Sequence, residues 1–129
     1  MIADEDLDFR EQNDAPRDEA EFDRSLLEEL NEDLGPETFL LLLRQFVEDV
    51  GVRLEKLSAL PSAAADPAAT RALTHQLKGL FLQFGANTAM RDAAALEEAT
   101  PGDAAEKLER LRRSGARALA HFEGLRGPI

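Results

Sequence analysis

The 129-residue chain contains no cysteine, tryptophan or tyrosine, and aromatics make up only 5% of it. Without cysteine there can be no disulfide, no thiolate zinc site and no thiol nucleophile, which suits a reducing compartment. The scarcity of aromatics leaves leucine, alanine and seven phenylalanines to build a core. No run approaches the roughly 20 apolar residues of a membrane span, and the N-terminus lacks the basic start and apolar stretch of a signal peptide. The expectation is a cytoplasmic protein with no membrane contact. A chain this short has room for one core, which excludes a nucleotide-dependent kinase with its two lobes.

Positive charge is also scarce. The formal net charge is −11, and its distribution is uneven. Residues 1–23 carry ten acids (Asp4, Glu5, Asp6, Asp8, Glu11, Asp14, Asp18, Glu19, Glu21 and Asp23) against Arg10 and Arg17, a balance of −8. The other 106 residues carry 16 acids and 13 bases, a balance of −3. No large basic face exists to displace counterions from a polyanion, so nucleic acid is not an expected partner. Residues 1–21 read as an acidic segment, disordered or loosely docked, 22–126 as a helical domain, and 127–129 as a tail.

From Phe22 the apolar residues take up helical spacing. Phe22, Leu26, Leu27, Leu30 and Leu34 form a first stripe, ended by Gly35 and Pro36. A second helix, from about Pro36 to Leu60, carries Phe39, Leu43, Phe46, Val50, Leu54 and Leu57, and Leu40, Leu41 and Leu42 widen its apolar face, placing it near the centre. Asp66 and Pro67 read as an N-cap followed by proline in the first turn of a third helix, which runs to about Phe84. Gly85 supplies a left-handed cap. A shorter helix over about Ala86 to Ala99 turns Ala89, Met90, Ala93 and Leu96 inward. Asp103 and Glu106 have capping-box spacing, opening a last helix with Leu108, Leu111, Leu119 and Phe122 buried. The spacing predicts an all-α fold: an antiparallel up-down four-helix bundle with an additional short N-terminal helix across one end.

The third helix has two faces. Leu73, Leu77, Leu80 and Phe84 make the inward stripe, and at 100° per residue His75 lies about 200° from Leu73, facing water. Arg71, Lys78, Gly79 and Leu82 share that outer strip. A mid-helix glycine costs about 1 kcal/mol relative to alanine, and an exposed leucine gains nothing from the core, so both require a purpose outside packing. An exposed imidazole is nucleophilic near neutral pH and can present its outer nitrogen to a partner's phosphoryl group. Lys78 would offset the phosphate charge, Gly79 would clear the space beside the ring, Leu82 would supply an apolar docking contact, and Arg71 a second positive charge.

Thr74-His75-Gln76-Leu77-Lys78-Gly79, followed by Gly85-Ala86 and later by Ala95-Leu96-Glu97, resembles the signature of histidine phosphotransfer (HPt) domains. Leu34-Gly35 ahead of Phe39 and Phe46 matches as well, and the likeness spans about Phe22 to Phe122. The resemblance implies a four-helix bundle whose histidine accepts a phosphoryl group from one response-regulator receiver aspartate and returns it to another. His75 would be the phosphoacceptor, Lys78 its electrostatic helper and Gly79 the clearance position, with Arg71, Gln76 and Leu82 meeting the partner. Receiver domains are the implied partners, with a hybrid histidine kinase as a further one. The protein would act as a monomer without an intrinsic cofactor, and the magnesium ion would sit on the receiver. Many members carry small residues where this chain has Leu80, Phe81 and Leu82. Here Leu82 stands near the direction of His75 and would either narrow the set of receivers that dock or hinder transfer. The competing reading is a helical adaptor that binds a receiver or kinase without being phosphorylated.

Other residues take plainer readings. His121 belongs to no spaced cluster and reads as a solvated flank of the last helix. Arg110, Arg112, Arg113 and Arg117 alternate with Glu106 and Glu109 as a solvated face. Neither histidine has the glutamate spacing of a bundle metal site, and no serine sits in a hydrolase-like arrangement with a histidine.

Overall fold

The computed structural model describes residues 20–62 and 65–126. Most of the acidic segment, residues 1–19, and the tail at 127–129 lie outside the described residues. Within them the chain forms five helices: α1 (Arg24–Leu34), α2 (Pro36–Ala59), α3 (Pro67–Gln83), α4 (Asn87–Glu97) and α5 (Ala104–Arg126). The β-type pairing described is a single isolated antiparallel bridge between Phe22 and Ala86. α2 packs on α3, α3 on α4, α4 on α5 and α5 back on α2, so four helices close a ring around one core, and α1 lies on α2.

Capping sets where the helices begin and end. The Asp23 carboxylate accepts the Leu26 N–H at 3.1 Å and opens α1, so that helix starts after Phe22 rather than at it. Asp66 caps α3 in the same way through the Ala69 N–H, with Pro67 in the first turn as its spacing predicts. α3 closes in a Schellman motif: the Gly85 N–H donates to the Leu82 carbonyl and the Ala86 N–H to the Phe81 carbonyl. Gly85 has φ +72°, and a Cβ there would lie 2.8 Å from the Asp23 Cβ, so both the backbone angle and the close approach require glycine. The capping box expected at α5 does not form. The Asp103 carboxylate instead accepts from the Thr100 N–H and hydroxyl and pairs with Lys107.

The residues just before α1 form a strap across the α3–α4 turn. Asp23 N–H donates to the Gly85 carbonyl, Asn87 N–H to the Glu21 carbonyl, and the Asn87 side chain to the Ala20 carbonyl. Glu21 also pairs with Arg117 on α5. Phe22 stacks on the His121 ring with centroids 3.9 Å apart. His121 is therefore half-buried and part of the strap's anchorage, not a solvated flank.

Leu43, Val50 and Leu57 of α2, Leu77 and Phe81 of α3, Ala93 of α4, and Leu111 and Phe122 of α5 are almost wholly buried. Phe46 stacks on Phe84 at 4.2 Å and meets Phe122 edge-on at 4.8 Å, joining three helices. Gly115 lets α5 approach α2 closely, since a Cβ there would meet Leu54 at 2.8 Å. Two expectations need correction. Leu41 and Leu42 do not widen the buried face of α2, because both are exposed. On α3 the buried line passes through Thr70, Thr74, Leu77 and Phe81, with Leu73 and Leu80 at its half-buried edge. The helix is rolled toward α4, against which it packs alongside α2.

Candidate functional site

The roll of α3 fixes what its outer face presents. With Leu77 and Phe81 fully buried, His75, Gly79 and Leu82 point to water, the His75 side chain 69% exposed and Leu82 62% exposed. A Cβ on Gly79 would find nothing within 4 Å, so this glycine permits no close helix crossing and leaves an open space beside the ring. Lys78, three residues after His75, leans toward α4.

Both His75 and Lys78 reach the same carboxylate. Glu97, at the last turn of α4, receives His75 Nδ1 at 2.9 Å on one oxygen and the Lys78 ammonium at 2.6 Å on the other. The hydrogen bond from Lys78, followed by that from His75, holds the Glu97 carboxyl below its ordinary value of 4.5. An ionised carboxylate only accepts, so Nδ1 carries the proton and the lone pair of a neutral ring is on Nε2, directed away from Glu97. The site therefore combines a held imidazole with one free nitrogen, a cation within a turn and unobstructed access.

The sequence did not single out Glu97 as a site residue, although it noted Ala95-Leu96-Glu97 as a pattern. A signal was present: His75 lies eleven residues before Ala86 and Glu97 eleven after. In an antiparallel helical hairpin that turns at Gly85-Ala86, residues equidistant from the turn come level.

The remaining candidates divide. Arg71 is exposed one turn before His75 and lines a cleft of about 240 Å³ that shares Glu97 as a wall. Gln76 is exposed but faces the other way, toward α2, where its side-chain oxygen accepts from Arg53 Nε at 2.8 Å. That bond leaves Gln76 outside the cluster formed by His75, Lys78 and Glu97. Among the described residues no group of three or more histidine, aspartate or glutamate side chains could hold a metal ion. No described helix is long and apolar enough to cross a membrane.

The model of the Hpt domain matches residues 41–122, the stretch from α2 to the last turns of α5 that holds every residue of this cluster. The chain belongs to the Hpt domain family. Hpt domains perform histidine phosphotransfer in phosphorelays, where they interact with receiver domains and kinases. No curated protein and no solved structure matches the chain.

Proposed function

We propose that this Hpt protein carries a phosphoryl group on Nε2 of His75 between receiver-domain aspartates. The observation that carries the reading is the bond from His75 Nδ1 to Glu97 on a ring that is otherwise exposed. In the forward step the Nε2 lone pair forms a bond to phosphorus as the bond to the aspartyl oxygen breaks. The electron pair of that bond returns to the receiver's carboxylate. The phosphorylated ring keeps its Nδ1 proton and becomes cationic, and Glu97 stabilises that charge. In the return step an aspartate oxygen of the second receiver forms a bond to phosphorus as the P–N bond breaks toward the ring, which leaves as neutral imidazole because Nδ1 is still protonated. Lys78 offsets phosphate charge from one turn away, and Gly79 gives the receiver room to approach. Arg71 and Leu82 meet the receiver, and magnesium is supplied by the receiver's own acidic pocket. Gln76 enters this reading as a flank toward α2, not as a group near the phosphate.

The functional unit is residues 22–126, arranged as an up-down antiparallel bundle of α2 to α5 with α1 across one end. It acts as a cytoplasmic monomer and accepts phosphate from a receiver domain, including that of a hybrid histidine kinase. The test is incubation with a phosphorylated receiver followed by chase into a second one. Acid-labile, base-stable label should appear on the wild type and vanish in His75→Gln. Tight binding with no label would favour the adaptor reading, and label that survives His75→Gln would reject the site.

A further inference from the structure

The cleft that borders Glu97 lies between the first turns of α3, the last turn of α4 and the connection into α5. Pro67, Leu96, Ala99, Pro101 and Ala104 give it apolar walls, and Arg71 stands at its rim. At about 240 Å³ it is smaller than the roughly 300–1,000 Å³ of pockets that enclose whole small molecules, and it matches a single inserted side chain better. Two observations define the occupant. Arg71 is engaged by no hydrogen bond or ion pair among the described residues, so a cation is available at the mouth. The other charged wall, Glu97, is already committed to Lys78 and His75 and does not compete for it. The cleft is also continuous with the outer face of α3, since Arg71 belongs to both.

We propose that this cleft seats an apolar side chain of the docking receiver domain, with a carboxylate beside that side chain paired to Arg71. The proposal rests on the phosphotransfer reading and extends it by placing a second anchor off the outer face of α3, toward the α4–α5 connection. A side chain seated there lies against Glu97, the residue whose carboxylate holds His75 Nδ1. Docking and the geometry of the reactive ring are thereby joined through Glu97.

The absence of cysteine from the chain makes the seat testable with one introduced thiol. Thr100, exposed in the cleft wall, is replaced in Thr100→Cys, and Glu48→Cys places a control thiol in the groove between α2 and α5. Iodoacetamide alkylation is followed with and without the purified receiver that transfers phosphate to the protein fastest among those of its source genome. The receiver should slow alkylation at Thr100→Cys at least tenfold and leave Glu48→Cys unchanged. Arg71→Glu should weaken receiver affinity at least tenfold by calorimetric titration. Equal alkylation with and without saturating receiver at Thr100→Cys, or wild-type affinity in Arg71→Glu, would overturn the seat. Labelling of His75 by phosphoramidate, a small donor that needs no docking, separates the two levels. A ring that takes up no phosphate from it sinks the phosphotransfer reading, whereas normal uptake with an unprotected Thr100→Cys sinks only the seat.

Discussion

Gly79 is where stability and function pull in opposite directions. It sits inside α3 with open space where a Cβ would be, so Gly79→Ala should stabilise the fold by about 0.5–1 kcal/mol in chemical denaturation. The added methyl stands beside the proposed docking surface, and the same variant should slow transfer from a phosphorylated receiver. A stabilised variant with unchanged transfer would remove the clearance role. Leu77 and His75 make the complementary pair on the same helix. Leu77 is fully buried, so Leu77→Ala should cost about 2–5 kcal/mol. His75→Gln, at an exposed position, should leave the melting temperature nearly unchanged while abolishing labelling. Equal destabilisation by the two would mean that His75 supports the core.

At the scale of the elements, the α3–α4 hairpin does most to assemble the site. Its Schellman turn sets the level at which α4 meets α3, and this brings Glu97 beside His75 and Lys78. Gly85→Ala places a side chain at φ +72° against Asp23, so it should destabilise by at least about 1–2 kcal/mol and disturb transfer as well. The sequence carried much of this. Proline, glycine and capping aspartate marked the helix boundaries to within a few residues, and the opposition of Leu77 and His75 on α3 followed from helical period alone. What it lacked was the long-range partner of each face. Leu41 and Leu42 are apolar yet exposed, because a stripe shows which residues are able to be buried and not how wide the covering neighbours are. His121 looked solitary because its partner, Phe22, is about a hundred residues away in the chain. Asp103 had the spacing of a cap, but Thr100 offered its carboxylate two nearer donors.

For the molecule as a whole, charge and acidity give the broadest expectations. Glu97 has a folded-state value below its ordinary one, so its contribution to stability is fully present above about pH 4.5. It is lost as the pH falls through the lowered value. Glu97→Gln should lower stability near neutrality and leave less of it to be lost on acidification, as measured by denaturant unfolding followed by circular dichroism between pH 2 and 7. A wild-type acid limb in this variant would show that the carboxylate is not held by Lys78 and His75 in solution. The helical fold was legible from patterning, and the family from one short motif on the correct face. The carboxylate bonded to His75 was not, since it depends on how two helices are brought level. The central claim is that the outward nitrogen of one ring carries the phosphate. Phosphorus-nitrogen coupled NMR of ¹⁵N-labelled protein, phosphorylated by a receiver, reads that atom directly. The account predicts a single bond from phosphorus to Nε2 of His75, and phosphate on Nδ1 or on His121 would contradict it.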